Sequence, residues 1–85
     1  MEIYYSPSFV RQYKKLSKEV KLVAEKKELV FRKDWKNSIL ATHKLKGKFT
    51  GFWAFSIDGR HRIIFEFVDK GRVNFHSVGS HDIYK

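Results

Sequence analysis

The chain has 85 residues, carries 18 Lys and Arg against 9 Asp and Glu for a net charge of +9, and contains no cysteine. This length fits one domain, 1–85, with a modest core, and an aromatic content of 16% helps so short a chain bury enough apolar area. Disulfides and cysteine-based zinc sites are excluded. With no basic leader ahead of an apolar run, and no stretch near the roughly 20 apolar residues of a membrane span, a soluble cytoplasmic protein is expected.

In chain order, Ile3-Tyr4-Tyr5 is a short β-type run. Ser6 caps a helix with Pro7 in its first turn, and Phe9, Tyr13 and Leu16 fall on one face of it. Ser17 caps a second helix whose apolar stripe is Val20, Val23, Ala24, Val30 and Phe31, ending near Asp34. Its late cations Lys26, Lys27, Arg32 and Lys33 suit the C-terminal end of the helix dipole. Residues 34–51 read as an irregular basic connection. Strands are expected over 52–57, 60–68 and 73–78, joined by Asp58-Gly59 as a two-residue hairpin loop and by Asp69-Lys70-Gly71. The fold class is α+β, with both helices packed on one face of a four-stranded, mainly antiparallel sheet.

With those turns, Phe55 pairs with Arg62, Trp53 with Ile64, Phe65 with Phe75 and Ile64 with His76. Ile63, Phe65, Phe67, Val73 and Phe75 then form the helix-covered face. Trp53, Phe55, Arg62, Glu66, Arg72, Asn74 and His76 form an open face, suited to stacking bases and holding phosphates. A slip of one residue would reverse the faces.

Thirteen of the 18 basic residues lie between Arg11 and Lys48, and such a field favours nucleic acid or an acidic protein partner. Histidines stand at 43, 61, 76 and 81. A histidine that titrates near neutrality takes a proton from one oxygen and gives one to another. RNA cleavage needs both steps: the 2′-hydroxyl loses a proton as it attacks phosphorus, and the leaving 5′-oxygen gains one. Charge on the phosphoryl oxygens is best met by arginine. The histidine spacings of 18, 15 and 5 match no compact zinc motif, so neither metal nor cofactor is expected. Each candidate also has a plainer reading. His43 is a surface loop residue, His61 a strand-end histidine bonded to backbone, and His76 a polar filler. Arg62 is a partner for Glu66, Tyr84 a tail residue, and Lys44, Lys46 and Lys48 a solvated loop. Their convergence is what points to a site, with the lysines steering phosphate and His61 and His76 contacting RNA.

The segments His43-Lys44-Leu45-Lys46-Gly47, Gly51-Phe52-Trp53, His61-Arg62-Ile63-Ile64-Phe65 and Val78-Gly79-Ser80-His81-Asp82-Ile83-Tyr84 resemble the RelE/ParE toxin superfamily, within it the YafQ/YoeB-like branch of type II toxin–antitoxin systems. The resemblance covers nearly the whole chain. It implies a metal-independent mRNA endonuclease that acts on the ribosome and is silenced by a cognate acidic antitoxin, which also sets the oligomeric state. It further implies His43 as general base or its positioning partner, Arg62 on the scissile phosphate, His81 as the late acid, and Tyr84 stacking a base or assisting proton transfer. The two histidines can exchange roles. The sequence departs from the family where Ala54, Phe55 and Ser56 replace paired lysines, and where Ser77 stands in place of an arginine. Two other readings remain: a ParE-like gyrase inhibitor without nuclease activity, and a non-catalytic basic RNA-binding module.

Overall fold

The structure, a computed structural model, describes residues 1–80. Strand β1 (Glu2–Tyr5) leads into helices α1 (Pro7–Lys14) and α2 (Lys18–Lys33). Strands β2 (His43–Lys44), β3 (Trp53–Ser56), β4 (His61–Asp69) and β5 (Arg72–Ser80) follow, with short 3-10 turns at Ser38–Leu40 and Gly47–Phe49. Both helices begin as their sequences dictate. The Ser6 hydroxyl accepts from the Phe9 N–H at 3.0 Å, and the Ser17 hydroxyl accepts from the Val20 N–H at 3.2 Å. Ser6 also donates to the carbonyl of His76 at 2.6 Å, tying the start of α1 to β5.

The sheet order is β1-β5-β4-β3-β2, with β1 parallel to β5 and the other pairs antiparallel. The α+β class is as expected, but the sheet has five strands, not four. The added strand is His43–Lys44, inside the connection read as irregular; two residues are too few for any period to register. It pairs His43 with Ala54 and Lys44 with Trp53.

The first hairpin also differs from expectation. Ser56, not Phe55, pairs with Arg62, and the Ile57 N–H donates to the His61 carbonyl at 2.9 Å. The loop is therefore Asp58-Gly59-Arg60, three residues rather than two. Its cause is Asp58, whose Oδ1 accepts the N–H groups of Arg60 and His61, each at 2.8 Å. The one-residue change turns β3 over. Trp53, Phe55 and Ile57 face the helices, not the open side, and Phe55 and Ile57 are fully buried.

Asp69 pairs with Arg72 across a two-residue loop, Lys70-Gly71, with Gly71 at φ 90°. An irregularity at Val68 restores the alternation, so Phe67 meets Val73 and Phe65 meets Phe75 as expected. A second bulge at His76 sets Ser77, not His76, opposite Ile64 and returns Val78 to the core opposite Ile63. Phe31 of α2 sits at the centre of that core, its ring 4.9 Å from Phe55, 4.9 Å from Phe65 and 5.5 Å from Phe75. Among the described residues, no helix is long and apolar enough to cross a membrane.

Candidate functional site

The sheet face turned away from the helices carries three of the polar candidates, His43, Arg62 and His76. Along one row lie His43, Ala54, Ile64 and Ser77; along the next lie Ser56, Arg62 and Gly79. Strand spacing and rise separate the Cα atoms of His43 and Arg62 by roughly 12 Å. The centre of this face is not open. Ala54 and Ile64 are fully buried, and the Phe52 ring reaches His76, edge to face at 4.9 Å. Phe52 in turn meets Phe49 edge-on at 6.4 Å. The result is an aromatic ridge with His43 on one side and Arg62 beyond the end of the buried row.

His43 is exposed at the sheet edge, and its Nδ1 lies 3.0 Å from the carbonyl of Ala41. A carbonyl only accepts, so Nδ1 carries the proton and Nε2 of the neutral ring is left as the acceptor. Ala41 takes a left-handed φ of 50°, the only non-glycine residue to do so among those described. That conformation costs about 1–2 kcal/mol and aims the carbonyl at the imidazole.

Arg62 does not pair with Glu66. Its Nη1 donates to the carbonyls of Asp58 at 2.9 Å and His61 at 3.1 Å, while Glu66 accepts from the Asn74 amide at 3.3 Å. His61 stands on the opposite parity, with its Nδ1 on both oxygens of Asp58, at 2.9 and 3.1 Å. Burial alone would raise the Asp58 carboxyl. The Arg60 N–H, the hydrogen bond from the His61 ring, the His61 N–H and the electrostatic pull of His61 outweigh it and hold Asp58 below the usual carboxylate range. His76 lies on the ridge side, with Nδ1 3.1 Å from the Ser77 hydroxyl.

The lysines scatter. Lys44 is on the helix side, with its ammonium 5.3 Å over the Trp53 ring. Lys46 caps the Gly47–Phe49 turn, and Lys48 lies 5.8 Å over Phe49. His81 and Tyr84 lie outside the described residues. The structure thus places His43, Arg62 and His76 on one face and turns Lys44 and His61 away from it. Sequence reading missed Asp58, taken only as a turn former. The Asp-x-x-His spacing at 58–61 was the available signal, since an aspartate at that distance bonds the following backbone and ring together. Among the described residues, no cluster of His, Asp and Glu is arranged to hold a metal ion.

No protein-family model matches the chain, and no curated protein matches it in sequence. Solved structures do match in fold. YafQ from Escherichia coli superposes with a TM-score of 0.80 at 17% identity, over 98% of this chain and 96% of YafQ. A YoeB/ParE toxin from Agrobacterium tumefaciens gives 0.80 at 16% identity, over 95% of this chain and 99% of that one. The toxin in a heterotetrameric YoeB–YefM toxin–antitoxin complex from Staphylococcus aureus gives 0.76 at 22% identity, over 95% of this chain and 97% of that one. The chain has the fold of the YafQ and YoeB toxins.

Proposed function

We propose that this protein is the toxin of a type II toxin–antitoxin pair and that it cuts mRNA on the ribosome without a metal ion. The observation that carries the reading is His43: on a basic chain with this toxin fold, its ring is fixed as the Nδ1–H tautomer, so Nε2 is a ready proton acceptor on the face that also bears Arg62. In the reaction, His43 Nε2 takes the proton of a 2′-hydroxyl and the 2′-oxygen attacks the adjacent phosphorus. Arg62 offsets charge on the phosphoryl oxygens. The P–O5′ bond breaks, and the leaving oxygen takes a proton from His81, with Tyr84 in support. The products are a 2′,3′-cyclic phosphate and a 5′-hydroxyl. His81 and Tyr84 are assigned on their sequence positions alone. His76 and Lys48, which meet the Phe52 and Phe49 rings, act as RNA contacts together with Lys46 and Lys44, while His61, turned to Asp58, makes none.

The fold also supports a partner. The YoeB toxin of Staphylococcus aureus is solved in complex with YefM, and E. coli YafQ with DinJ. A chain of net charge +9 attracts an acidic, partly disordered antitoxin that orders on contact.

The test is induced expression in bacteria, with growth and cellular mRNA followed together. Wild type should arrest growth and fragment mRNA, while His43→Ala and Arg62→Ala should do neither yet remain folded. Arrest with intact mRNA, a DNA-damage response and no effect of either substitution would replace this reading with gyrase inhibition.

A further inference from the structure

The hairpin turn between β3 and β4 holds an acid, a base and an arginine within five residues, and it sorts them. Arg62 is held by two backbone carbonyls, those of Asp58 and His61, through Nη1. Carbonyls fix a guanidinium in place without cancelling its charge. Nε–H and the Nη2 hydrogens remain as donors, in the fork that suits a phosphate. Among the described residues, Arg62 is in no ion pair.

Yet a carboxylate belongs to the same turn. The Asp58 carbonyl accepts from Arg62 Nη1, but the Asp58 side chain is directed elsewhere. Oδ1 accepts from the Arg60 N–H, the His61 N–H and His61 Nδ1, and Oδ2 accepts from His61 Nδ1. The His61 ring is the side-chain partner that spans both oxygens. An aspartate one hydrogen bond removed from a guanidinium would otherwise be its natural counter-ion.

We propose that His61 is a positioning residue for Arg62: by occupying the Asp58 carboxylate it keeps that charge off the arginine, which the turn carbonyls hold uncompensated for a phosphate group of RNA. His61 does not itself touch the reacting atoms, since its side chain stands on the opposite parity of β4 from Arg62. This role rests on the nuclease reading for its consequence, but not for its geometry.

Two kinds of measurement separate them. In the first, mRNA cleavage on programmed bacterial ribosomes is timed for His61→Ala, His61→Gln and the double substitution Asp58→Asn with His61→Ala. The glutamine amide can still donate to Asp58. Asparagine keeps an oxygen for the turn N–H groups but carries no charge. His61→Ala should slow cleavage about 10-fold or more, with His61→Gln and the double variant both within about 3-fold of wild type. His61→Gln as slow as His61→Ala, or a double variant no faster than His61→Ala alone, would overturn the proposal.

The second measurement needs no activity. The guanidinium proton and nitrogen signals of Arg62, read by NMR, should move to an ion-paired position in His61→Ala and return in the double variant. Signals unmoved by His61→Ala would overturn the positioning role even where the enzyme cuts RNA. If wild type cuts no RNA, these signals alone decide the proposal while the nuclease reading falls. His61→Gln keeps the first test informative if the alanine variant folds poorly.

Discussion

Asp58 shows how one side chain in a turn fixes what lies on both faces of a sheet. Its carboxylate closes a three-residue loop, and that loop length decides that Phe55 enters the core and Ser56 does not. The same bonds hold its carboxyl below the ordinary value near 3.9. A group depressed in the native state binds fewer protons there than in the unfolded chain. Its stabilisation is therefore complete above the unfolded value and drains away as pH falls through the lower native one. Thermal melts should show wild type losing more melting temperature than Asp58→Asn between about pH 5 and about pH 2. Parallel losses in the two proteins would mean that the turn bonds do not stabilise the carboxylate. The residue-scale features hidden from sequence were of this kind. Asp-Gly signals a tight turn, but nothing in the chain announces that the aspartate oxygen will reach two backbone groups and a ring.

Helices were the most legible elements because their signals are local. Ser6 and Ser17 cap where the sequence places them, and the expected stripe of α2 puts Ala24 and Phe31 in the core, with Val20, Val23 and Val30 packed against it. Strand membership was also legible, except at β2, which is two residues long and defined only by its partner. Register was not. The bulge at His76 exists because β5 must keep Val73, Phe75 and Val78 all facing the helices while spaced two and three residues apart. That constraint is tertiary and leaves no mark in alternation. Of the candidate site, the residue types and their grouping on the second half of the chain were readable. The exclusion of Trp53 and Phe55 from the open face, and the Phe52 ridge in their place, were not.

The element most exposed to a single change is α2. Phe31 is wholly buried and meets three core rings, so its truncation opens a cavity that the sheet cannot fill. Phe31→Ala should cost about 3–5 kcal/mol in chemical denaturation, a large share of the stability of so small a domain. A loss under about 1 kcal/mol would contradict a core centred on that ring.

At the scale of the whole molecule, the helices and the sheet enclose an aromatic core on one side, and the second face carries the candidate site. That face is neither flat nor uniformly basic. It has a ridge, an edge histidine with a fixed tautomer and an arginine held by backbone. In the proposed reaction, this asymmetry gives His43 and Arg62 separate places, one beside the attacking oxygen and one beside the phosphoryl oxygens. A plain basic surface would bind RNA with salt-sensitive affinity and no such division.

If His43 Nε2 is the proton acceptor of an RNA-cleaving site, removing its ring removes the cut. The direct measurement is primer extension and end-group analysis on a defined mRNA in programmed bacterial ribosomes, with wild type and His43→Ala in parallel. Discrete cuts bearing a 2′,3′-cyclic phosphate and a 5′-hydroxyl are expected from wild type, reduced about 100-fold or more in the variant. Cuts of equal rate in both proteins, or none with toxic wild type, would contradict that role.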